Sequence, residues 1–362
     1  MRHVKSGLVL LLVAAILAAC GGGGSNEPAK PKFTKQVSFG DSLSDVGSYK
    51  VGTVAALSGG QFTINSAIST NWTELTAAQF GLAAPCAALT GLDGNAGQGF
   101  SVMPPVLHAG CTSYAQGGAR VTDPQGVGNK LNGGNDAIIG MLTTPIVTQI
   151  ANYLADAPGN KFAGDEIVFV MAGANDAFFQ AGLVSNLLTT PTAAGVAMYT
   201  AATELTTYIQ TQILDKGARY VVVMNIPDIS STPQVTSIAD PTAKAQNKLL
   251  FDGLISTYNT QLKAGLDAME ATKVLQVDAF TASQDEVANP AKYNLTDVTG
   301  TACNLAAPSN PLASSLVCNS GNLNAGVTAT SHLFADKVHP TPYGHALFAT
   351  YVLQEMVNKG WF

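Results

Sequence analysis

Hydrophobic positions along the chain fall into two kinds of run. Short ones with little or no polar interruption cover Gln36 to Phe39, Glu166 to Met171, Tyr220 to Asn225 and Val274 to Val277. Strands without a polar face belong to a parallel sheet buried on both sides. Between them lie longer stretches with apolar residues three and four apart. Thr144 to Ala155 places Ile146, Ile150 and Leu154 on one helical face, and helices are expected over about Ala193 to Leu214, Lys244 to Met269 and Thr341 to Val357. A shorter helix near Asn71 to Phe80 follows an Asn or Thr cap and turns Trp72, Leu75 and Phe80 inward, so Trp72 reads as core. Strand alternating with helix predicts an α/β fold whose central parallel sheet is covered on both faces.

The remaining segments change this picture at the edges only. Val46 to Cys111 and Ala279 to Ser331 are Gly- and Ala-rich excursions without a clean period, and long excursions of this kind shape access to a site. At the N-terminus, Arg2, His3 and Lys5 precede an apolar run from Leu8 to Leu17, too short to span a bilayer. Residues 1–20 therefore read as a targeting segment, 21–35 as a Gly-, Ser- and Pro-rich tether, and 36–362 as one domain. Leu17-Ala18-Ala19-Cys20 resembles a bacterial lipobox; the resemblance implies lipidation of Cys20 and an outer-membrane lipoprotein, so the membrane becomes a partner through that anchor.

Charge excludes one class of partner. The 362 residues carry a formal net charge of -6 and no Lys/Arg cluster, which leaves nucleic acid without a footprint. Four cysteines besides Cys20 allow three disulfide connectivities. The local pairing of Cys86 with Cys111 and of Cys303 with Cys318 is preferred, each bridge closing a polar excursion. No C-x-x-C, H-E-x-x-H or Walker spacing occurs, and His108, His332 and His345 are scattered, so neither a metal nor another cofactor is expected.

Chemistry concentrates where strands end. Ser42 sits in Gly40-Asp41-Ser42-Leu43, just beyond the first apolar run. A serine is inert at its ordinary pKa and needs a histidine base, a carboxylate to orient it, and donors for an oxyanion. Asp336-Lys337-Val338-His339 offers the base and its partner within one turn. Gly118, through its backbone N–H, and Asn175, through its side-chain amide, are candidate oxyanion donors alongside the N–H of Ser42. Asp41 and Asp45 are expected to hold the turn around the nucleophile by accepting backbone N–H bonds.

Taken in order, Gly40-Asp41-Ser42-Leu43, Gly117-Gly118, Gly173-Ala174-Asn175-Asp176 and Asp336-x-x-His339-Pro340 resemble the blocks of the SGNH hydrolases of the GDSL esterase/lipase family. Asn225-Ile226-Pro227-Asp228 and Thr257-Tyr258-Asn259 resemble its intermediate stretches, while Ser113 stands where relatives often carry Asn. The resemblance implies a three-layer α/β/α fold and a serine esterase with Ser42, Asp336 and His339 as the triad. The expected substrate is a small-molecule or lipid ester, either lipid-like or with a short aliphatic acyl group. A carbohydrate O-acetylesterase, and a non-catalytic envelope-binding lipoprotein on the same fold, are the alternatives, and oligomeric state is not legible.

Overall fold

The computed structural model describes residues 30–67, 71–327 and 332–362. Cys20, the targeting segment and residues 21–29 of the tether lie outside the described residues. In chain order the strands are β1 (Gln36–Gly40), β2 (Leu89–Asp93), β3 (Val102–Leu107), β4 (Ile167–Met171), β5 (Tyr220–Met224), β6 (Val274–Val277), β7 (Asp297–Thr301) and β8 (His332–Phe334). The longer helices are α1 (Trp72–Gln79), α2 (Ile146–Asp156), α3 (Ala174–Ser185), α4 (Pro191–Tyr208), α5 (Pro241–Asp267), α6 (Ala279–Ala288) and α7 (Pro342–Asn358).

A parallel sheet in the order β1-β4-β5-β6 forms the middle layer. Because side chains alternate across a strand, its apolar runs feed two cores. Val37, Phe39, Val168, Val170, Val221 and Val223 join α2, α3, α4 and α5 on one face. Ile167, Phe169, Met171, Val222 and Met224 meet α1, α6 and α7 on the other. The result is the expected three-layer α/β/α arrangement. Trp72 is fully buried against Phe169 and Phe348, with ring centroids 5.0 and 5.3 Å away, as its helical spacing predicts.

On the outer side of β1 the chain adds a further extended segment that hydrophobicity does not reveal. Ser38 N–H donates to the Thr112 carbonyl (3.0 Å), Tyr114 N–H to that of Ser38 (2.8 Å) and Gln116 N–H to that of Gly40 (3.0 Å). Residues 112–116 thus run parallel to β1 on its free edge, with Ser38 and Ser113 paired. The connection from β1 leaves towards this edge, whereas that from β4 leaves the opposite way towards β5. The crevice at the carboxyl ends of such strands is where ligands bind in open α/β sheets.

Boundaries shift where side chains compete with the backbone. Glu166 stays outside β4 because its carboxylate turns back to accept the N–H groups of Ala163 and Gly164, both at 2.8 Å. The helix expected from Ala193 begins at Pro191 behind a Thr190 cap and relaxes into a π-helical turn at Ile209–Leu214. Three residues assigned to the tether belong to the fold: Phe33 is buried between Phe80 and Tyr220, and Thr34 and Lys35 bond residues leading into β4. Inside the two excursions lie elements not predicted from sequence, the antiparallel ribbon β2–β3, the helix α6 and the strand β7, which pairs with β8 just beyond the second excursion. Pro104 and Pro105 argue against a strand, yet β3 tolerates them at the edge of a two-stranded ribbon. Disulfides join Cys86 to Cys111 and Cys303 to Cys318, the local pairing.

Candidate active site

The turn that carries Ser42 is fixed by polar groups arriving from three directions. Buried Gln149 of α2 reads both sides of the last β1 peptide: its Oε1 accepts Gly40 N–H at 2.9 Å and its Nε2 donates to the Gly40 carbonyl at 2.8 Å. Asn71, the cap of α1, donates from Nδ2 to the Leu43 carbonyl at 2.7 Å. Asp41 accepts Leu43 N–H at 3.1 Å, and Asp45 accepts the N–H groups of Gly47 (2.8 Å), Ser48 (2.7 Å) and Gly117 (2.9 Å). The two aspartates therefore hold the turn, as expected, and Asp45 also ties it to the Gly117-Gly118 loop. Burial pushes the Asp41 carboxyl up to about 6, against the Leu43 N–H and the nearby His339, and burial raises Asp45 as well.

From the far end of the chain, β8 and α7 deliver the partners. His339 Nε2 lies 2.8 Å from Ser42 Oγ, and His339 Nδ1 lies 2.8 and 2.9 Å from the two oxygens of Asp336. Asp336 Oδ1 also accepts the N–H groups of Val338 (3.0 Å) and His339 (2.9 Å), while Oδ2 accepts Ser315 N–H at 2.8 Å. Burial alone would raise this carboxyl, but the His339 ring and the converging donors outweigh it and hold Asp336 well below the usual carboxylate range. It is thus ionised whenever the site is at neutral pH. Phe62 covers the imidazole, ring centroids 4.9 Å apart. The hydrogen bonds place Nδ1 as donor to Asp336 and Nε2 as acceptor for the serine proton.

The candidate oxyanion donors are built by backbone geometry that few residues tolerate. Gly118 adopts φ +79°, and a Cβ there would sit 1.9 Å from the Val127 carbonyl oxygen. Asn175 is the second residue of α3, and Gly173, which caps that helix, has a φ of +106° and a contact with the Tyr258 ring that leave no room for a side chain. Asn175 Nδ2 donates one hydrogen to the Ala119 carbonyl at 3.0 Å. The second amide hydrogen remains for a ligand. Asp176, next in sequence, accepts Val121 N–H at 3.0 Å and Arg120 Nε at 3.2 Å; its burial pushes the carboxyl up to about 6 in spite of the arginine. Two residues at the head of α3 therefore grip three consecutive residues beyond Gly118. Among the described residues, the N–H groups of Ser42 and Gly118 donate to no protein acceptor.

All five candidates thus meet at one rim of the sheet. His345 lies buried on α7, where burial pushes its pKa down to about 3; His108 contacts Thr90 and His332 contacts Asp297. Among the described residues, no group of three or more His, Cys, Asp and Glu could hold a metal ion. Gln149, Ser315 and Phe62 were not anticipated. Gln149 had a signal, since it occupies a core-facing position between Ile146, Ile150 and Tyr153; Ser315 and Phe62 come from remote loops and had none.

No curated protein matches the chain. Among solved structures, the chain is similar to one titled "Crystal structure of NanS", at 12% identity over 91% of this chain and 100% of that one, with a TM-score of 0.29. The model of the GDSL-like Lipase/Acylhydrolase family matches residues 37–352, nearly the whole described fold. The protein accordingly belongs to the GDSL-like lipase/acylhydrolase family and is a carboxylic ester hydrolase.

Proposed function

We propose that this enzyme hydrolyses lipid-like or short aliphatic acyl esters through an acyl-enzyme on Ser42. The observation that carries the reading is the unbroken chain from Asp336 to His339 to Ser42, 2.8 Å at each link. Ser42 Oγ attacks the ester carbonyl as His339 Nε2 takes its proton. The carbonyl oxygen becomes an oxyanion held by the N–H groups of Ser42 and Gly118 and by Asn175 Nδ2. On collapse, the bond to the alcohol oxygen breaks and His339 returns the proton to that alkoxide. Water, deprotonated by His339, then attacks the acyl carbonyl and releases the acid and Ser42. Asp336 stabilises the imidazolium in both halves and does not itself accept the proton.

Purified enzyme should release p-nitrophenol from short acyl esters and label with a fluorophosphonate at Ser42. Ser42→Ala should abolish both, and turnover equal to wild type in that variant would refute the mechanism. The same reading attaches lipid at Cys20, supported by Leu17-Ala18-Ala19-Cys20. Processing of the precursor should then be blocked by globomycin, and processing that ignores the drug would count against it.

A further inference from the structure

No Asp, Glu, Lys, Arg or His occurs from Ala177 to Thr203, a run that takes in most of α3 and most of α4. The water-facing side of a surface helix ordinarily carries charge, yet here it offers Val196 and Tyr199, both more than half exposed. Leu187 and Leu188, in the turn between the two helices, are 91% and 73% exposed, and Leu249 of α5 is 75% exposed. Leu187 and Leu249 border one groove of about 750 Å³, and none of its lining residues is charged. The nearby charges of Lys248 and Asp252 pair with each other at 2.7 Å and stay outside it. Large exposed apolar patches mark interaction sites.

Local structure keeps this face apolar. α3 ends in a two-bond cap, with Leu187 N–H donating to the Val184 carbonyl (3.0 Å) and Leu188 N–H to that of Leu183 (2.9 Å). Leu187 takes the left-handed position of the cap at φ +57°, where glycine is the usual residue. Polar side chains nearby turn back on their own helices. Asn186, Thr200 and Thr203, with Asn247 and Thr257 on α5, each donate to the carbonyl four residues earlier at 2.8–3.0 Å. Such back-bonding satisfies a donor without water or a partner. A protein partner is matched by about one hydrogen bond per 100–200 Å² and by complementary charge, and this face has little of either to offer. A lipid surface asks for neither.

The patch also stands at the same end of the sheet as the triad. α4 and α5 lead into β5 and β6, which start at the amino end of the sheet, so both helices descend from its carboxyl end. Val196, Tyr199 and Leu249 lie in the first halves of those helices. Phe178, one turn on from Asn175, meets Phe251 of α5 with ring centroids 5.6 Å apart. We propose that this uncharged face of α3, α4 and α5 docks on a lipid surface, seating Leu187, Leu188, Val196 and Leu249 in its apolar layer and bringing the crevice of Ser42 to the lipid–water boundary. No helix among the described residues is long and apolar enough to cross a membrane, and the contact lies along the surface. Docking needs no ester chemistry, so binding and turnover report separately.

Cosedimentation with phosphatidylcholine vesicles tests this on the chain from Gly21 onward, which keeps both cores of the described fold and omits the apolar run from Leu8 to Leu17 and Cys20. It should bind, and Leu188→Glu, Val196→Glu and Leu249→Glu together should weaken binding by about tenfold or more. Leu187→Gly should weaken it while leaving the melting temperature unchanged or higher, because glycine fits the left-handed cap. Val102→Glu, Val106→Glu and Leu107→Glu on the exposed strand β3 should leave binding as it is. The triple variant of α3–α5 should also lose about tenfold on an emulsion of glyceryl tributyrate and keep its rate on dissolved p-nitrophenyl acetate. Wild type that ignores vesicles, binding that survives the three glutamates, or an equal loss in the β3 variant overturns the proposal. So does a dimer in sedimentation velocity that the three glutamates dissociate with no effect on vesicles, which would assign the face to a second copy. Vesicle binding without turnover of either ester would uphold docking and sink the esterase reading instead.

Discussion

Ser42 owes its reactivity to atoms that belong to other residues, and their substitutions should separate by role. Asn175→Ala removes one oxyanion donor, which should lower kcat by about 10²–10³ while leaving KM nearly as it was. Gly118→Ala should be at least as damaging, because the new methyl group meets the Val127 carbonyl and the backbone donor must move with it. Steady-state kinetics on a short ester reads both, and an Asn175→Ala variant that lost only KM would show that the amide binds substrate without favouring the transition state. Asp41 offers a separate test. Unfolded aspartate titrates near 4, whereas burial pushes the folded Asp41 to about 6. Between those values the native state holds the extra proton, so this group lowers stability progressively as pH rises and does so fully above about 6. Asp41→Asn should therefore gain on wild type by about 2–3 kcal/mol on going from pH 4 to pH 7, measured by denaturant unfolding. A gap that stays constant with pH would contradict the assignment.

At the scale of elements, the site depends on helix ends as much as on the strand ends that carry it. Asn71 caps α1 in a reciprocal arrangement with Glu74 and also donates to Leu43 beside the nucleophile. Asn71→Ala should cost about 1 kcal/mol for the cap alone and should in addition slow turnover by loosening that turn, a pair of effects that urea melts and kcat would report together. The elements themselves were legible to unequal degrees. β4 and β5 announce themselves because both faces are buried and no charged residue or glycine interrupts them, and β6 does so with only Gln276 breaking its apolar run. Asp336 and His339 were readable as a pair because they stand three positions apart, whereas Ser42 meets His339 across nearly the entire chain and only the ordered set of family-like blocks links the two. Residues 112–116 hid their strand because Thr112, Ser113 and Gln116 carry no apolar run; pairing with β1 alone makes them extended. α6 was hidden by a sequence with as many polar as apolar positions.

For the molecule as a whole, the two cores lie on opposite faces of a sheet whose carboxyl end gathers every reacting group, so stability and chemistry share little surface. The loop from Ser314 to Cys318 is an exception. It supplies Ser315 N–H to Asp336 and is joined by the Cys303–Cys318 disulfide to the chain that bonds Ala335. Closing a loop of this length is worth about 3 kcal/mol in the chain-entropy account, and it adds to the bonds from Asn65 to the Ser315, Leu316 and Cys318 carbonyls and to the burial of Leu316 and Val317. Mild reduction, or Cys303→Ser with Cys318→Ser, should lower kcat several-fold with Ser42 still in place. Activity that is indifferent to a reductant, with free thiols confirmed by mass, would show that the loop stands without its bridge. The nucleophile and base are complete in the reduced chain, but the loop that donates Ser315 N–H to Asp336 has lost one of its ties. Ester cleavage then carries a trace of oxidation: the reduced chain would turn over several-fold more slowly until Cys303 and Cys318 lose their hydrogens.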